Sequence, residues 1–209
     1  RLSHQQVLAR FEAGEADILV GTQMIAKGLD FPNVTVVGVV SADTGLHQPD
    51  FRASERTFQL LAQVSGRAGR GPKGGQVIVQ TFCPTHPAVK AAAEHDYEAF
   101  AKVEMEHRRT LGYPPFSRLA RLVVQAREAS VAESKARLIG EALRSVSSKA
   151  EILGPAPCPI ARVDAWHRFH LLVKAPTDDV RRRILAAMPG KLGSASLRVS
   201  VEVDPTDLL

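Results

Sequence analysis

Apolar and polar positions in the first half of the chain follow helix and strand periods in turn. SHQQVLARFEAGE predicts an amphipathic helix capped by Ser3, and the apolar run ADILVGT predicts a strand after it. A short polar helix then leads to residues 34–40, VTVVGVV, whose lack of alternation is typical of a strand covered on both faces. A helix over residues 53–68 and a strand over residues 75–82 follow. This alternation favours βαβ units in a parallel sheet, which we expect to be incomplete at its N-terminal side.

The second half has a different order of elements. A polar helix over residues 87–110 is expected to end at LGYPPFS, because its two prolines cannot continue a helix. The periods that follow predict strands and helices in the order β-α-β-β-α-β, which is the split βαβ, ferredoxin-like arrangement. These predicted elements are a strand at 119–126, a helix at 130–147, strands near 151–163 and at 168–175, a helix at 177–187 and a strand at 196–203.

Composition is that of an ordinary globular protein, with 44% hydrophobic and 23% charged residues. The net charge of +5 and the sequence pI near 9.5 favour a polyanionic partner only weakly. No apolar run approaches the roughly 18 residues of a membrane span, and no secretory leader is visible, so a cytoplasmic protein is expected. Cys83 and Cys158 form no C-x-x-C pair, which predicts no metal site. Since the chain begins with Arg1 close to a helix, its natural start is expected upstream.

Polar residues in VGTQMIAKGLDFPNV exceed what packing requires. Gly21, Thr22 and Gln23 end a predicted strand, where open parallel sheets bind ligands, and the helix after them carries Lys27. Backbone N–H groups that open a helix favour phosphate. The alternative is an ordinary strand-to-helix turn in which Lys27 is solvated and Asp30 ends the helix.

A second polar pattern lies in QLLAQVSGRAGRG. Gln63, Arg67 and Arg70 stand at i, i+4 and i+7, so on a helix they share one face. Two guanidinium groups one turn apart can hold a terminal phosphoryl group and the charge that develops on it, which is the arginine-finger role. The alternative is a pair of solvated or salt-bridged arginines near a helix end.

These two segments resemble known helicase motifs. VGTQMIAKGLDFPNV is similar to motif V and QVSGRAGR to motif VI of superfamily-two helicases. The intervening DTGLHQPDFRASERTFQLL narrows the resemblance to the primosomal protein N′ family of replication-restart DNA helicases. GYPPFSRLARL, LGPAPCPIARV and VEVDPTDLL also resemble the C-terminal region of that family, so the resemblance covers nearly the whole chain.

The resemblance implies an α/β fold in three parts. Residues 1–86 would be the C-terminal part of a RecA-like second helicase lobe, with a parallel sheet and helices. Residues 87–117 would connect it through a helix and a Pro-rich linker to residues 118–209, a small α+β domain that is ferredoxin-like and similar to ribosomal protein S10. In the family, that domain contributes to DNA and partner binding.

The resemblance also assigns residues of the first part. Gln63, Arg67 and Arg70 would face the γ-phosphate of ATP, with Arg70 as the finger, and Asp30 would lie near the nucleotide or pair with an arginine of motif VI. Residues of motif V would contact the DNA backbone or couple it to the nucleotide: Gly21, Thr22, Gln23 and Lys27.

Candidates in the second part are less specific. Trp166 could stack a base and Arg168 could contact DNA, although ARVDAWHRFHLLVK is less basic than the family pattern and Trp166 alternatively belongs to the core. Arg181, Arg182 and Arg183 could meet the acidic tail of single-stranded-DNA-binding protein, a family partner. The alternative for these arginines is a solvated helix face.

Cofactors and partners follow from the same resemblance. No G-x-x-x-x-G-K-[ST] motif occurs here, so ATP and Mg²⁺ would bind in a site completed by another lobe, and this chain alone is expected to be inactive. The zinc-binding cysteines of the family would precede Arg1. The expected partners are branched, forked and single-stranded DNA, the tail named above and primosome loading proteins, for a monomer in the nucleoid region of the bacterial cytoplasm.

The function implied is the C-terminal part of an ATP-dependent 3′ to 5′ DNA helicase that recognises stalled replication forks and restarts replication by primosome assembly. The alternative is a fork-DNA-binding scaffold that keeps the helicase fold but lacks ATPase activity. An RNA helicase is disfavoured by DFRASER and by the second half of the chain.

Overall fold

The chain packs into two compact units in a computed structural model that describes residues 3–22, 31, 33–66, 75–189 and 194–208. Unit 1 comprises Arg1–His47 and Ser54–Ala101, and unit 2 comprises Gln48–Ala53 and Lys102–Leu209. The division therefore falls within a helix that precedes the Pro-rich turn, and a short segment from the first half of the sequence belongs to unit 2.

The first helix of unit 1, α1 (His4–Glu12), begins where the sequence predicts. The Ser3 hydroxyl accepts the Gln6 N–H at 3.3 Å, while the Gln6 side-chain oxygen accepts the Ser3 N–H at 2.8 Å. This reciprocal capping box satisfies two backbone donors that a helix start leaves without partners. Gly14, with φ of 76°, follows the helix end, where the left-handed region suits glycine.

Among the residues that the structure describes, two parallel strands form the sheet of unit 1, β1 (Val36–Val39) and β2 (Gln76–Val79). Between them lie α2 (Asp43–Leu46) and α3 (Ala53–Ser65), and α4 (Pro87–Glu94) follows β2. The parallel pairing and α3 confirm the predictions. The connection between parallel strands requires a crossover, which α3 provides.

The core of unit 1 lies on one face of its sheet. Its buried residues come from α3, α4 and their neighbours: Ala42, Phe58, Leu61, Ala88, Val89, Ala91, Ala92 and Phe100. Val39 and Val79 pack against this core, whereas Val36 is 54% exposed. The prediction that β1 is covered on both faces is therefore wrong, because within the described residues only one face of the strand has a packing partner.

The apolar run at residues 16–22 is not a strand in the structure, which corrects that prediction. Ile18 and Val20 are 79% and 86% exposed, and no described strand pairs with this backbone. A strand needs a hydrogen-bonded neighbour, so apolar composition alone does not form one. The predicted short helix after it lies at residues 23–30, outside the described residues.

The polar helix predicted over residues 87–110 is two helices. α4 ends at Glu94, its C-cap His95 adopts the left-handed conformation with φ of 56°, and α5 (Tyr97–Leu111) starts anew. The Asp96 carboxylate accepts the Ala99 N–H at 2.9 Å and so caps α5. The helix ends at Leu111, before the two prolines, as predicted.

Unit 2 contains the predicted β-α-β-β-α-β succession. Its elements are β3 (Arg118–Ala126), α6 (Ala129–Arg144), β4 (Glu151–Val163), β5 (Trp166–Ala175), α7 (Asp178–Ala186) and β6 (Leu197–Val203). The sheet is antiparallel throughout, in the order β4-β5-β3-β6. β3 and β5 are thus the central strands, and the first face of the sheet is the one that α6 and α7 cover.

The first face holds the larger core of the chain. β3, β5, α6 and α7 contribute its buried side chains: Ala120, Leu122, Val124, Ala136, Ile139, Leu143, Leu171, Val173, Ala175, Val180 and Ile184. Truncating a fully buried residue such as Leu122 to alanine costs about 2–5 kcal/mol in comparable cores. Since side chains alternate along a strand, Arg121, Val123 and Gln125 of β3 point to the opposite, second face.

Candidate functional site

The predicted DNA contacts of motif V are described only in part. Gly21 and Thr22 are exposed and lie in irregular backbone after the apolar run. Gln23, Lys27 and Asp30 lie outside the described residues. The exposure of Gly21 and Thr22 is compatible with a ligand contact through backbone groups.

The predicted nucleotide contacts of motif VI begin on α3. Gln63 is exposed, while Leu61 and Val64 on other faces of the same helix are 2% and 5% exposed. The helix thus packs through its apolar residues and leaves Gln63 accessible, as the spacing predicts. Arg67 and Arg70 lie outside the described residues.

Asp43 joins the carboxyl ends of the two strands in unit 1. Its carboxylate accepts the Thr81 hydroxyl and the Phe82 N–H, each at 3.0 Å, just after β2. Partial burial acts to raise the pKa of Asp43, but the hydrogen bonds from Phe82 and Thr81 prevail and hold that pKa below its ordinary value. The sequence analysis did not single out this aspartate, whose partners lie 38 and 39 residues away along the chain.

Three side chains form a cluster on the second face of the sheet in unit 2. The guanidinium carbon of Arg127 lies 4.4 Å from the ring centroid of Trp166, and that of Arg198 lies 4.0 Å from the same ring. Trp166 is 7% exposed, whereas both arginines are exposed. We call these residues the arginine–tryptophan cluster.

The cluster changes the expectation for Trp166. Arg127 and Arg198 lie over the indole, and base stacking on Trp166 requires these guanidinium groups to move away. No local sequence pattern marks either arginine as a candidate. Arg127 follows the end of β3 and Arg198 lies near the start of β6, so only the strand register brings them to Trp166.

Arg168 lies on the same face, next to the cluster. It pairs with Gln125 across β5 and β3, and Arg198 pairs with Gln125 from the other side. Arg168 is half-buried, and its Nη1 donates to the Ile160 carbonyl at 3.3 Å. Arg168, which is predicted to contact DNA, therefore lies on the same face as two further cations, Arg127 and Arg198.

The centre of the second face holds buried polar groups. Arg121 is 2% exposed, and its Nη1 lies 3.7 Å from a carboxylate oxygen of Glu202. Burial lowers the pKa of His170, and the positive charges of Arg121 and Arg168 lower it further. Burial also raises the pKa of the Cys158 thiol. His170 is therefore neutral near pH 7, and Cys158 is a protonated thiol.

Arg181 has a structural position, which corrects its prediction as a partner contact. It is 6% exposed, and its Nη1 donates to the Leu119 carbonyl at 2.9 Å. Its guanidinium also pairs with the carboxylates of Asp178 and Asp204. All of these contacts turn the side chain inward, because α7 packs over β3 at this point.

Arg182 and Arg183 are exposed on α7, as a partner contact requires. Arg183 lines a shallow cavity of about 310 Å³ together with Lys149 and Val146. The lining combines two cations with apolar surface.

The PDFR stretch that narrowed the family resemblance lies in the Gln48–Ala53 segment of unit 2. The Asp50 carboxylate accepts the Arg52 N–H at 2.8 Å and the Leu208 N–H at 3.0 Å. The Phe51 ring stacks on Tyr113 with centroids 5.2 Å apart. Both rings pack against a small buried cluster on the second face: Leu119, Leu172 and Leu208. Asp50 and Phe51 are therefore structural residues of unit 2.

Two general features of the described residues bear on function. No group of three or more histidine, cysteine, aspartate or glutamate side chains lies close enough together to hold a metal ion within the described part of the chain. In that same part, every helix is too short or too polar to span a bilayer.

Comparison with known proteins adds the family. The family described as Primosomal protein N C-terminal domain matches residues 109–206, and the family described as Helicase conserved C-terminal domain matches residues 3–72. Replication restart protein PriA of Bacillus subtilis is 45% identical over 208 residues, which cover 97% of this chain and 26% of that protein. The chain belongs to the PriA family. It corresponds to the C-terminal portion of PriA.

Two further PriA relatives agree. Replication restart protein PriA of Treponema pallidum is 42% identical over 207 residues, which cover 98% of this chain and 32% of the relative. That of Synechocystis is 41% identical over 207 residues, which cover 99% of this chain and 25% of the relative. The chain thus spans between a quarter and a third of the length of these PriA proteins. The family predicted from motifs V and VI, the segment between them and the C-terminal stretches is confirmed.

Proposed function

We propose that this chain is the end of the second lobe, together with the C-terminal domain, of an ATP-dependent 3′ to 5′ DNA helicase that recognises stalled forks and restarts replication. The observation that carries the proposal is the 45% identity to a replication restart protein over almost the whole chain, together with the intact Q-x-x-G-R-x-G-R motif. The first unit is proposed to be part of a RecA-like lobe and the second to be similar to ribosomal protein S10.

The nucleotide role rests on three residues of motif VI. Gln63 is accessible on α3, and Arg67 and Arg70 follow at one and nearly two helical turns in the sequence. We assign Arg70 as the arginine finger, with Arg67 and Gln63 beside it and Asp30 near the nucleotide. ATP with Mg²⁺ supplies the phosphoryl group that is hydrolysed, and its site is completed by a lobe outside this chain, so this chain alone is inactive. Guanidinium groups there stabilise the charge that develops on the γ-phosphate.

The test is DNA-stimulated ATPase activity of the full-length protein. Arg70→Ala is expected to lower kcat by about 10³-fold or more, since that is the range for loss of an arginine finger. Arg10→Ala is the matched control, because Arg10 is an exposed arginine of the same unit that pairs only with Glu15 among the described residues. Equal turnover by the wild type and Arg70→Ala contradicts the finger assignment.

The same assay separates the helicase from the scaffold. A wild-type protein that binds forked DNA but does not hydrolyse ATP contradicts the helicase proposal and favours an ATPase-deficient scaffold. A protein that hydrolyses ATP only with DNA present, and displaces a strand with 3′ to 5′ polarity, supports it.

DNA contacts are proposed in both units. Motif V would contact the DNA backbone through Gly21, Thr22, Gln23 and Lys27. In unit 2, Arg168 lies on an accessible face beside two further cations, which supports a phosphate contact. Steep loss of binding to branched DNA as salt rises is the expected signature, and a flat response contradicts it.

A protein partner is proposed at the cavity beside α7. Arg183, with Lys149 beside it in the lining, would pair with the acidic tail of single-stranded-DNA-binding protein. Arg182 is exposed on the same helix, so Arg182→Glu is the variant with which Arg183→Glu is compared. Arg183→Glu is expected to abolish binding of a synthetic tail peptide measured by anisotropy, and unchanged binding contradicts the assignment. We further propose that the full-length protein binds primosome loading proteins and holds zinc at a site outside this chain. It is proposed to act as a monomer in the nucleoid region of the cytoplasm.

A further inference from the structure

The two arginines of the arginine–tryptophan cluster carry charges that no carboxylate within the described residues neutralises. Among the described residues, neither Arg127 nor Arg198 pairs with a carboxylate, whereas Arg121 pairs with Glu202 on the same face. Both arginines are exposed at their position on the sheet. Two guanidinium groups brought to one ring repel each other, so an external anion near them lowers the energy of this arrangement.

Trp166 holds these arginines in place. A guanidinium over an indole gains about 0.5–2 kcal/mol from the ring quadrupole, and the ring is fixed because it is 7% exposed. Arginine side chains on a surface are otherwise mobile, and ordering them costs entropy when a ligand binds. Stacking on a fixed ring removes part of that cost before binding, and the N–H groups at the guanidinium edge stay free to donate.

The strand register extends the cluster into a row. Arg168 and Arg198 flank Gln125 on opposite sides of β3, so their backbones lie two strand spacings, or about 10 Å, apart. Arg127 follows two residues after Gln125 on the same face. A row of cations on one face fits an anion that repeats along a chain better than it fits a single small anion.

We propose that Arg127 and Arg198 bind the phosphate backbone of a nucleic acid and that Trp166 is their positioning residue. The inference rests on the proposed DNA-dependent function and adds to it the residues through which unit 2 holds DNA. Guanidinium groups grip phosphate oxygens with two parallel hydrogen bonds and read no base. The site therefore binds without regard to sequence. An acidic peptide is the competing ligand, and the experiment distinguishes the two.

The experiment measures binding of a fluorescein-labelled single-stranded oligonucleotide to the full-length protein across salt concentrations. Arg127→Gln and Arg198→Gln are each expected to weaken binding on the order of threefold. Each is expected to lower the slope of log affinity against log salt by about 0.7, the value for one phosphate contact on a single strand. The loss is the same for oligonucleotides of different sequence.

The matched control is Arg137→Gln. Arg137 is an exposed arginine on α6 that pairs with Glu133, and α6 covers the first face of the sheet. Its loss removes the same charge from unit 2 and is expected to leave both affinity and salt slope unchanged.

Trp166 is tested by rescue. Trp166→Leu keeps both arginines but removes the ring, and its affinity is expected to fall towards that of the double variant, which combines Arg127→Gln with Arg198→Gln. Trp166→Phe restores a ring face and is expected to recover most of the affinity. If Trp166 serves only the core, Trp166→Leu and Trp166→Phe bind DNA equally well, and this result contradicts the positioning role.

Several results overturn the inference. If the double variant has the same affinity and salt slope as Arg137→Gln, Arg127 and Arg198 do not contact phosphate and the inference is wrong. The proposed helicase function still stands in that case, provided that the wild type unwinds DNA. Normal DNA binding with weakened binding of an acidic peptide assigns the cluster to a protein partner instead. A wild type that binds no DNA at all removes the proposed function together with this inference.

Discussion

The guanidinium of Arg181 donates a hydrogen bond to the backbone carbonyl of Leu119 over 2.9 Å. Leu119 lies near the start of β3 and is fully buried, while Arg181 lies in the first half of α7. The bond joins a helix to the central strand beneath it. An arginine in a run of three therefore has a different role from its neighbours.

Replacing Arg181 with methionine separates this role from partner binding. Arg181→Met is expected to lower the free energy of unfolding by about 1–3 kcal/mol, because the Leu119 carbonyl loses one of its two donors, the other being the Asp204 N–H, and the carboxylates of Asp178 and Asp204 lose their cation. Arg182→Met removes an exposed arginine from the same helix and is expected to change that free energy by less than about 0.5 kcal/mol. Urea denaturation followed by circular dichroism measures both, and equal stability of the two variants contradicts the assignment.

Asp50 anchors the Gln48–Ala53 segment to the backbone of Leu208. Asp50→Asn keeps the shape of the side chain but removes the charge, and it is expected to cost about 1–2 kcal/mol because hydrogen bonds to a charged acceptor are stronger. Hydrogen exchange at the Leu208 amide should become faster. Glu106→Gln, at a glutamate that is 63% exposed in its ion pair, is the control and should leave this amide unchanged.

Gly154 is required by both its conformation and its surroundings. Its φ is 89°, and a Cβ at this position would lie 2.7 Å from the carbonyl oxygen of His170. Gly154→Ala is therefore expected to cost about 2–4 kcal/mol in unfolding free energy. Gly112→Ala, where φ is 63° but nothing lies within 4 Å, should cost only about 1 kcal/mol. Thermal melting that ranks Gly112→Ala as the more damaging change refutes the steric argument.

His170 is expected to make stability depend on pH. Its folded pKa lies below the ordinary value of about 6.5, so the unfolded state binds a proton that the folded state does not. Its contribution is present above about pH 6.5 and is lost as the pH falls from 7 towards 5. Chemical denaturation at these two pH values should show a larger drop for the wild type than for His170→Gln.

The other titratable groups are present in both proteins, so the comparison removes their effect. An equal drop in the wild type and in His170→Gln means that burial, Arg121 and Arg168 do not lower the pKa of this histidine.

Sequence patterns predicted unit 2 well because its elements are set locally. β3 is buried on both sides in its centre, and α6 has apolar residues at helical spacing, so each element shows its period within its own span. The strand predicted at residues 16–22 is wrong for the opposite reason. Its apolar composition fits a strand, but pairing depends on a neighbour that local sequence does not reveal.

Contacts between distant residues were the other limit. The break at His95 depends on a single left-handed residue that favourable helix formers surround. Arg127, Trp166 and Arg198 meet only through the register of three strands, and none of the three positions carries a motif. The spacing of Gln63, Arg67 and Arg70 predicts a shared helix face, and of the three only Gln63 lies within the described residues, exposed on α3.

The hydrogen bond between Asp50 and Leu208 joins residues 158 positions apart. During synthesis at about 5–20 residues per second, roughly 8–30 seconds pass between the addition of these two residues. For that interval Phe51 has no buried cluster to join, because Tyr113 and the strands beneath it are made later. The PDFR stretch therefore leaves the ribosome long before the cluster against which Phe51 packs is complete.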